Sequence, residues 1–218
     1  MKPIFPPRPK GKMLHTDLPY YESTGKWLAQ RKFRGSNALI HIAKNSDISL
    51  FSRHGSPFAR FSLDKSYKNE ILSGLNLKFG TEYWLNGELM NKDQNSTNEI
   101  ILFDVLAVDR YFFGNPNQLE RLQILNEICY HPKSLCDSQI ALRVTDKIWM
   151  AQTFDHNFVE RFEESLPVPQ LEGLVLRKKF SSLDNFGFSE YETSNMIRCR
   201  KPFAVETPKS QRSGGYSF

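Results

Sequence analysis

The chain has 218 residues and a mass of 25.3 kDa, which is enough for one large domain or two small domains with a buried core. Apolar residues make up 39% and charged residues 24%, which excludes an intrinsically disordered chain, and no apolar run approaches the roughly 20 residues that span a bilayer. The net charge of +5 permits a polyanionic partner but does not require one. Three cysteines without zinc-site spacing indicate reduced thiols and a cytoplasmic location.

Proline and basic residues dominate the beginning of the chain. Residues 1–19 contain five prolines and four lysines or arginines, which predicts an extended basic arm that packs on the domain or contacts a partner. Residues 207–218, which end in Ser-Gly-Gly-Tyr-Ser-Phe, are expected to form a flexible tail. No linker or repeat divides the remainder, so residues 20–206 are predicted to form a single domain.

The middle of the chain alternates irregularly between strand and helix patterns. Short apolar runs bounded by turn residues predict strands at Trp27–Arg31, Ala38–Ala43, Ile48–Ser52, Ile100–Val108, Ala141–Thr145, Leu171–Lys178 and Met196–Arg200. Helical spacing of apolar residues predicts helices at Tyr67–Leu75, Gln118–Ile128 and Asp155–Glu164. This order favours an α+β fold with antiparallel sheets, and the glycine-rich signatures of Rossmann and P-loop proteins do not occur.

The segment Trp27-Leu-Ala-Gln-Arg-Lys-Phe-Arg-Gly-Ser-Asn37 places a lysine at the end of an apolar strand. Lys32 precedes Gly35, which permits a tight turn or a close approach to a ligand. A lysine amine is a nucleophile only when it is neutral, and nearby cations or burial favour that form. By itself, Lys32 is better explained as an ordinary surface lysine in a basic loop.

Four further motifs follow Lys32 in a fixed order. Tyr83-Trp-Leu-Asn-Gly-Glu-Leu-Met contains Glu88 after an Asn-Gly turn, and Ile101-Leu-Phe-Asp-Val-Leu contains Phe103. Leu171-Glu-Gly-Leu-Val-Leu contains Glu172, and Met196-Ile-Arg-Cys-Arg-Lys contains Arg198 and Arg200 on one strand face. Together with the Lys32 segment, these four segments resemble motifs I, III, IIIa, IV and V of the covalent nucleotidyltransferases, in that order. These enzymes are the ATP-dependent DNA ligases, the RNA ligases and the mRNA capping enzymes. Ser52-Arg-His-Gly also stands at its expected place after the first motif.

The resemblance implies a nucleotidyltransferase fold: two mainly antiparallel sheets with flanking helices and a nucleotide cleft. It also implies that Lys32 attacks the α-phosphate of ATP, releases pyrophosphate and holds AMP as a phosphoramidate. Phe103 matches the aromatic residue that stacks on the purine, and Glu88 matches the carboxylate that contacts the ribose. For either residue alone, a core phenylalanine or a solvated strand-end glutamate explains the sequence as well.

The other motif positions are expected to act on the phosphates. Arg198 and Arg200 match two positions at which the family normally has lysines that bind phosphate. Glu172 matches a carboxylate associated with Mg²⁺ or Mn²⁺, and Arg53 matches an arginine that contacts ribose or phosphate. The histidines and cysteines form no convincing metal set. Arg177-Lys-Lys179 is a candidate for contacts with a nucleic-acid backbone, although such a run is also typical of a solvated strand end.

Gln30, Arg31 and Asn37 flank Lys32 at positions assigned to the same nucleotide site. The third position of motif I is Arg34, where the family usually has Asp, His or Asn. The cation at this position could promote deprotonation of Lys32, reach the phosphates or damage the site. An inactive relative that only binds nucleotides or nucleic-acid ends is therefore kept as an alternative.

The expected partner is nicked or broken nucleic acid. Lys32-Phe-Arg-Gly-Ser-Asn37 and Ile197-Arg-Cys-Arg200 resemble RNA ligases of the RNA ligase 2 type, which favours RNA-type ligation. Leu50-Phe-Ser-Arg-His-Gly and Phe103-Asp-Val-Leu look more like DNA ligases, so a DNA ligase is the alternative, and guanylyl capping is a more distant one. The residues after about 205 are too few for the OB domain of DNA ligases and capping enzymes. A catalytic domain alone, a piece of a longer chain and a subunit completed by another chain all fit this length.

Overall fold

The structure, a computed structural model, describes residues 4–59, 61–91, 97–109, 116–129, 140–183 and 189–202. The predicted tail at 207–218, together with His131 and Cys136, lies outside the described residues.

The described residues form eleven strands in two sheets. In chain order, the strands are β1 (Arg8–Met13), β2 (Trp27–Phe33), β3 (Ser36–Ile42), β4 (Ile48–Ser52), β5 (Tyr83–Leu89), β6 (Ile100–Val108), β7 (Ala141–Arg143), β8 (Ile148–Ala151), β9 (Thr153–Phe154), β10 (Leu171–Lys178) and β11 (Glu192–Arg200). A five-stranded sheet has the order β1-β11-β10-β2-β9, and a six-stranded sheet has the order β4-β3-β5-β6-β8-β7.

The described helices are short. They are a 3₁₀ turn at His15–Asp17, α1 (Leu18–Ser23), α2 (Lys65–Gly74), α3 (Gln118–Cys129) and α4 (Phe158–Ser165). Helix α2 begins after Asp64, whose carboxylate accepts the backbone N–H of Tyr67 at 2.7 Å and so satisfies a donor that has no partner within the helix. None of the described helices is long and apolar enough to cross a membrane.

The predicted α+β class with two mainly antiparallel sheets is confirmed. Among the described strand pairs, only β1–β11 and β6–β8 are parallel. Each sheet buries one face against helices: Ile40 of β3 and Leu85 of β5 pack with Ile71 of α2 and Leu125 of α3. The five-stranded sheet packs Leu174 of β10 and its neighbours against α1 and α4. Alternation of side chains along each strand therefore leaves the opposite faces available to line a cleft.

The predicted arm, which was expected to pack on the domain or to contact a partner, includes an extended segment that packs on the domain as an edge strand. Residues 8–13 form β1, which pairs in parallel with β11, and Leu18 is completely buried in the core of the five-stranded sheet. The prolines and lysines that suggest an arm are compatible with an edge strand, because an edge strand needs backbone hydrogen bonds on one side only. This part of the chain belongs to the domain.

The Asn-Gly pair before Glu88 does not form a turn. Asn86 and Gly87 lie inside β5, between β3 and β6. A Cβ atom on Gly87 would lie 2.7 Å from the carbonyl oxygen of Ile101, so glycine is needed where the two backbones approach closely. Glu88 therefore projects from a central strand, which fixes its backbone more firmly than a turn would.

Candidate functional site

A cleft of about 420 Å³ is lined by residues of both sheets. Eight of the ten site residues predicted from the sequence line it: Lys32, Asn37, Arg53, Glu88, Phe103, Glu172, Arg198 and Arg200. They come from β2, β3, β5, β6, β10 and β11 and from the segment after β4. Residues that are far apart in the sequence thus meet in one cavity.

Lys32 and Glu172 form an ion pair on neighbouring strands. The Nζ atom of Lys32 donates to Oε2 of Glu172 at 2.6 Å, and both side chains are partly exposed to the cleft. The ladder between β2 and β10 shifts register between Leu171 and Gly173, next to Glu172. Gly173 has φ +124°, and a Cβ atom there would lie 2.1 Å from the carbonyl oxygen of Cys199, so only glycine fits at this close approach to β11.

Glu88 is fixed by the loop that follows Lys32. Its Oε1 accepts the backbone N–H of Gly35 at 3.0 Å. A Cβ atom on Gly35 would lie 2.4 Å from the carbonyl oxygen of Leu89 and 2.7 Å from Cγ of Glu88. The glycine of motif I is thus required for contact with β5, since any side chain would push Glu88 out of place.

Asn37 and Gln30 each use their amide nitrogen inside the protein. Nδ2 of Asn37 donates to Oδ1 of Asn86 at 2.9 Å and to the carbonyl oxygen of Gly87 at 3.1 Å. Nε2 of Gln30 donates to the carbonyl oxygen of Phe103 at 3.2 Å and to Oγ1 of Thr153 at 3.0 Å. Within the described part of the chain, the oxygens of both amides are buried and accept no hydrogen bond, which is costly unless another group supplies a donor. Gln30 lies behind Phe103 rather than on the cleft wall.

Phe103 rests on a buried charge cluster. The guanidinium of Arg177 lies 5.2 Å from the centre of the Phe103 ring. Its Nη1 donates to Oδ2 of the fully buried Asp104 at 3.0 Å, and Nε of Arg121 donates to Oδ1 at 2.9 Å. Burial lowers the pKa of Arg177, and the Asp104 carboxylate opposes that shift. The cluster ties β6, β10 and α3 together beneath the aromatic ring.

The position of Arg177 corrects its sequence-based interpretation as a nucleic-acid contact. Its side chain is only 5% exposed, so it cannot lie against a backbone at the protein surface. The sequence did contain a signal for this cluster, because an aspartate within an apolar strand such as Ile100–Val108 needs a buried cation.

Arg31 does not reach the cleft. It lies on the face of β2 opposite to Lys32, as expected from the alternation of side chains along a strand. Its Nη2 donates to Oε2 of Glu164 at 2.8 Å, and its guanidinium lies 5.4 Å from the centre of the Phe154 ring. The prediction that Arg31 belongs to the nucleotide site is therefore corrected: its side chain packs against α4.

A polar network that the sequence did not reveal lies at the mouth of the cleft. Nε of Arg53 donates to Nε2 of His54 at 2.9 Å, and Nδ1 of His54 lies 2.5 Å from Oε1 of Glu190. Nη1 of Arg8 donates to Oε2 of Glu190 at 2.7 Å. The hydrogen bond to His54, followed by that to Arg8, lowers the pKa of Glu190. The network connects the segment after β4 to β1 and to the segment before β11, and so joins the two sheets.

The cleft offers few ligands for a metal ion. No group of three or more histidine, cysteine, aspartate or glutamate side chains among the described residues could hold one. Glu88 and Glu172 are carboxylates of the cleft, and Mg²⁺ commonly uses one or two carboxylates together with substrate phosphates and waters. These residues fit a metal ion that a bound nucleotide helps to hold.

Comparisons with known proteins agree with this architecture. No protein-family model and no curated protein matches the chain. The ligase domain of LigD from M. tuberculosis aligns with a TM-score of 0.57 at 13% identity, over 89% of this chain and 58% of that one. A mycobacterial DNA ligase D complexed with ATP and MES aligns with a TM-score of 0.56 at 12% identity, over 90% and 60%.

A third structure, described as Pmar-Lig_Pre, aligns with a TM-score of 0.60 at 17% identity, over 91% of this chain and 47% of that one. The chain thus spans about half the length of the structures that it matches. At these identities the likeness shows the fold, which this chain shares with the ligase domain of LigD.

Proposed function

We propose that this chain is the nucleotidyl-transfer domain of an ATP-dependent polynucleotide ligase that seals 5′-phosphate and 3′-hydroxyl ends through a lysyl-AMP intermediate. The observation that carries the proposal is the position of Lys32 in one cleft with Glu172, Phe103 and two arginines. The fold shared with ligase domains and the ordered sequence motifs support it independently.

Lys32 is the proposed nucleophile. Its Nζ attacks the α-phosphorus of ATP, a P–N bond forms, and the P–O bond to pyrophosphate breaks. The amine must lose a proton before it attacks, and the contact of Nζ with Oε2 of Glu172 at 2.6 Å holds it in the cleft. The nucleotide then passes to a 5′-phosphate, and a 3′-hydroxyl displaces AMP to join the strands.

The base site is proposed to favour adenine. Phe103 lines the cleft and offers a ring face on which a base can stack. A solved structure with this fold, a mycobacterial DNA ligase D, is complexed with ATP. That complex supports the use of ATP over GTP.

Arginines are proposed to stabilise charge on the phosphates. Arg198 and Arg200 line the cleft from one strand, and the buried Nε of Arg198 has no hydrogen-bond partner among the described residues. Guanidinium groups bind phosphate oxygens through paired hydrogen bonds, so this donor is suited to an anionic ligand. Arg53 approaches from the other sheet.

A divalent ion, Mg²⁺ or Mn²⁺, is proposed to join the nucleotide phosphates to Glu172. When bound, it would neutralise charge that develops on the phosphoryl oxygens. Labelling is therefore expected to require one of these ions.

The test is covalent labelling. Incubation with ATP labelled on the α-phosphate, in the presence of Mg²⁺ or Mn²⁺, is expected to give a label that survives denaturation, and GTP is expected to label far less. A chain that binds nucleotide without labelling would be a non-catalytic relative. Preferential labelling by GTP would favour a capping enzyme.

RNA-type ligation is the proposed substrate class, because the segments around Gly35–Asn37 and Ile197–Arg200 resemble RNA ligases. DNA ligation is the second candidate, since two of the solved structures with this fold are ligase D proteins. A panel of nicked duplexes, with DNA or RNA placed separately on the 3′-hydroxyl and 5′-phosphate sides, decides between them. Sealing of all-DNA nicks alone would replace the RNA proposal.

A further inference from the structure

Two lysines of the edge strand β1 lie beside the cleft but outside its lining. β1 stands at one end of the five-stranded sheet, next to β11. Residues 6–9 line the cleft, whereas the side chains of Lys10 and Lys12 are exposed beyond its rim. The segment to which they belong is the basic, proline-rich one that the sequence indicates for packing or for a partner.

The register of β1 against β11 shows which way these lysines face. Lys12 lies opposite Arg198 in the parallel ladder, and Gly11 lies opposite Ile197. Ile197 packs in the core of the five-stranded sheet, and Arg198 lines the cleft on the other face. Because side chains alternate along a strand, Lys10 and Lys12 both lie on the face that carries Arg198.

Lys12 and Arg198 are like charges on adjacent strands. Neighbouring strands are about 4.8 Å apart, and like charges that lie directly opposite each other destabilise a sheet. In addition, Nε of Arg198 is buried and has no hydrogen-bond partner among the described residues. An anion between the two side chains would relieve the repulsion and would supply the acceptor that this donor needs.

The acidic residues around β1 are engaged elsewhere. Glu190 bonds to Arg8 at 2.7 Å, and Glu192 lies opposite Arg8 at the other end of the ladder. The charge of Asp17 acts on Cys199, which lies on the core face of the sheet. Within the part of the chain that the structure describes, neither lysine forms an ion pair. The exposed charge on this strip is therefore positive and suits an anionic partner.

We propose that Lys10 and Lys12, together with Arg198, form a surface that binds the sugar–phosphate backbone of the nucleic-acid strand whose end enters the cleft. The inference rests on the proposed function, which brings a strand end to Lys32. Because both lysines lie outside the cleft lining, they suit a polyanion that extends beyond the cleft rather than a mononucleotide within it. Contacts with phosphates position a strand without reading its bases, so this surface accepts any sequence.

The first experiment measures the binding of a fluorescently labelled nicked duplex, with RNA on the 3′-hydroxyl side, by anisotropy without ATP or a metal ion. The double variant Lys10→Gln/Lys12→Gln is expected to bind about tenfold more weakly or worse near 100 mM salt. The slope of log affinity against log salt concentration should become shallower by about two, because each lysine on a phosphate contributes roughly one. Two nicks of unrelated sequence should show the same loss.

The matched control is the double variant Lys65→Gln/Lys78→Gln. It removes the same number of charges from exposed lysines that lie outside the cleft lining, at the start of α2 and before β5. It is expected to keep the affinity and the salt dependence of the unmodified chain, and melting temperatures check that both variants are folded. Equal affinities and slopes for the two double variants would overturn the proposal, because edge-strand lysines can serve solely to hinder pairing with other chains.

The second experiment titrates the same proteins with ATP. Weaker ATP binding by Lys10→Gln/Lys12→Gln, with unchanged binding of the nicked duplex, would assign the lysines to the nucleotide and would also overturn the proposal. Covalent labelling by ATP tests the proposed function separately, because it needs no nucleic acid. If the unmodified chain binds the nicked duplex through these lysines but takes no label, the proposed function is wrong and the surface stands.

Discussion

The amine of Lys32 lies 2.6 Å from a carboxylate oxygen of Glu172, on the neighbouring strand of the same sheet. This contact places the proposed nucleophile beside the carboxylate that is proposed to help hold a divalent ion. Lys32→Ala is expected to abolish covalent labelling by α-labelled ATP, since it removes the attacking nitrogen. Lys32→Arg should fail as well, because a guanidinium stays protonated. Lys65→Ala is the control, and full labelling of either Lys32 variant would remove this residue from its role.

Asp104 is expected to be essential for stability. Asp104→Asn leaves Arg121 and Arg177 buried beside a neutral group, and breaking a buried charge pair in this way costs about 3–5 kcal/mol. Urea unfolding measures this difference. Asp146→Asn makes the same chemical change at a side chain that is 78% exposed and should have little effect. Equal unfolding midpoints for the two variants would contradict the importance of the buried cluster.

Phe103 is expected to contribute to nucleotide binding through its aromatic ring. Phe103→Leu keeps an apolar side chain but removes the stacking surface, so ATP binding should weaken by about 1 kcal/mol or more, roughly fivefold. Phe180→Leu is the matched control, since Phe180 is exposed and lies outside the cleft lining. Binding is measured by titration with ATP. If Phe103→Leu binds ATP as tightly as the unmodified chain does, the base of ATP does not stack on Phe103.

The network at the cleft mouth predicts a dependence on pH. The pKa of Glu190 is lowered by its hydrogen bond to His54 and by Arg8, so its contribution to stability is present above the ordinary glutamate pKa. That contribution is lost as the pH falls through the lowered value. The melting temperature of the unmodified chain should exceed that of Glu190→Gln near neutral pH, and the difference should disappear in acid. Glu192→Gln, which removes an exposed carboxylate outside this network, is the control, and its melting temperature should match that of the unmodified chain at both pH values.

The described cysteines are expected to be unreactive. Burial raises the pKa of Cys129 to about 12, and burial followed by the charge of Asp17 raises the pKa of Cys199 to about 11. At pH 8 the reactive thiolate is therefore scarcer by about a hundredfold or more than in an unfolded chain. Alkylation with iodoacetamide followed by peptide mapping should label both sites slowly in the native protein and rapidly in guanidinium. Rapid native labelling would show that these thiols are accessible.

The strands and helices that were predictable from the sequence are those with strong local patterns. The apolar runs at Ile100–Val108 and Leu171–Lys178 form strands over these residues, and the helix predicted at Gln118–Ile128 extends by one residue. Strands β8 and β9 were not predicted, and neither were β5 and β1. In β5 and β1 the reason is that Asn-Gly and closely spaced prolines are local turn and coil signals. In both segments, pairing with distant strands determines the backbone conformation.

The cleft residues that were predictable are likewise those that lie in short local motifs. Ordered motifs predicted eight of the residues that line it, because motif order survives where overall sequence similarity does not. The motifs placed Arg31 in the same site as Lys32, although the alternation of side chains along β2 puts these neighbours on opposite faces. They also did not indicate the contact of Glu190 with His54, which joins residues 136 positions apart. Such contacts depend on how the two sheets pack, which no short segment encodes.

The arrangement of strands has a consequence for synthesis on the ribosome. All strands of the six-stranded sheet lie between residues 36 and 151, so this sheet can assemble as soon as that segment has emerged. Strands β1 and β2 are made earlier, yet their partners β9, β10 and β11 lie between residues 153 and 200. Strand β2, which carries Lys32, therefore stays unpaired until its partners β9 and β10 have been synthesised. The nascent chain cannot form the Lys32–Glu172 ion pair before translation has passed Glu172.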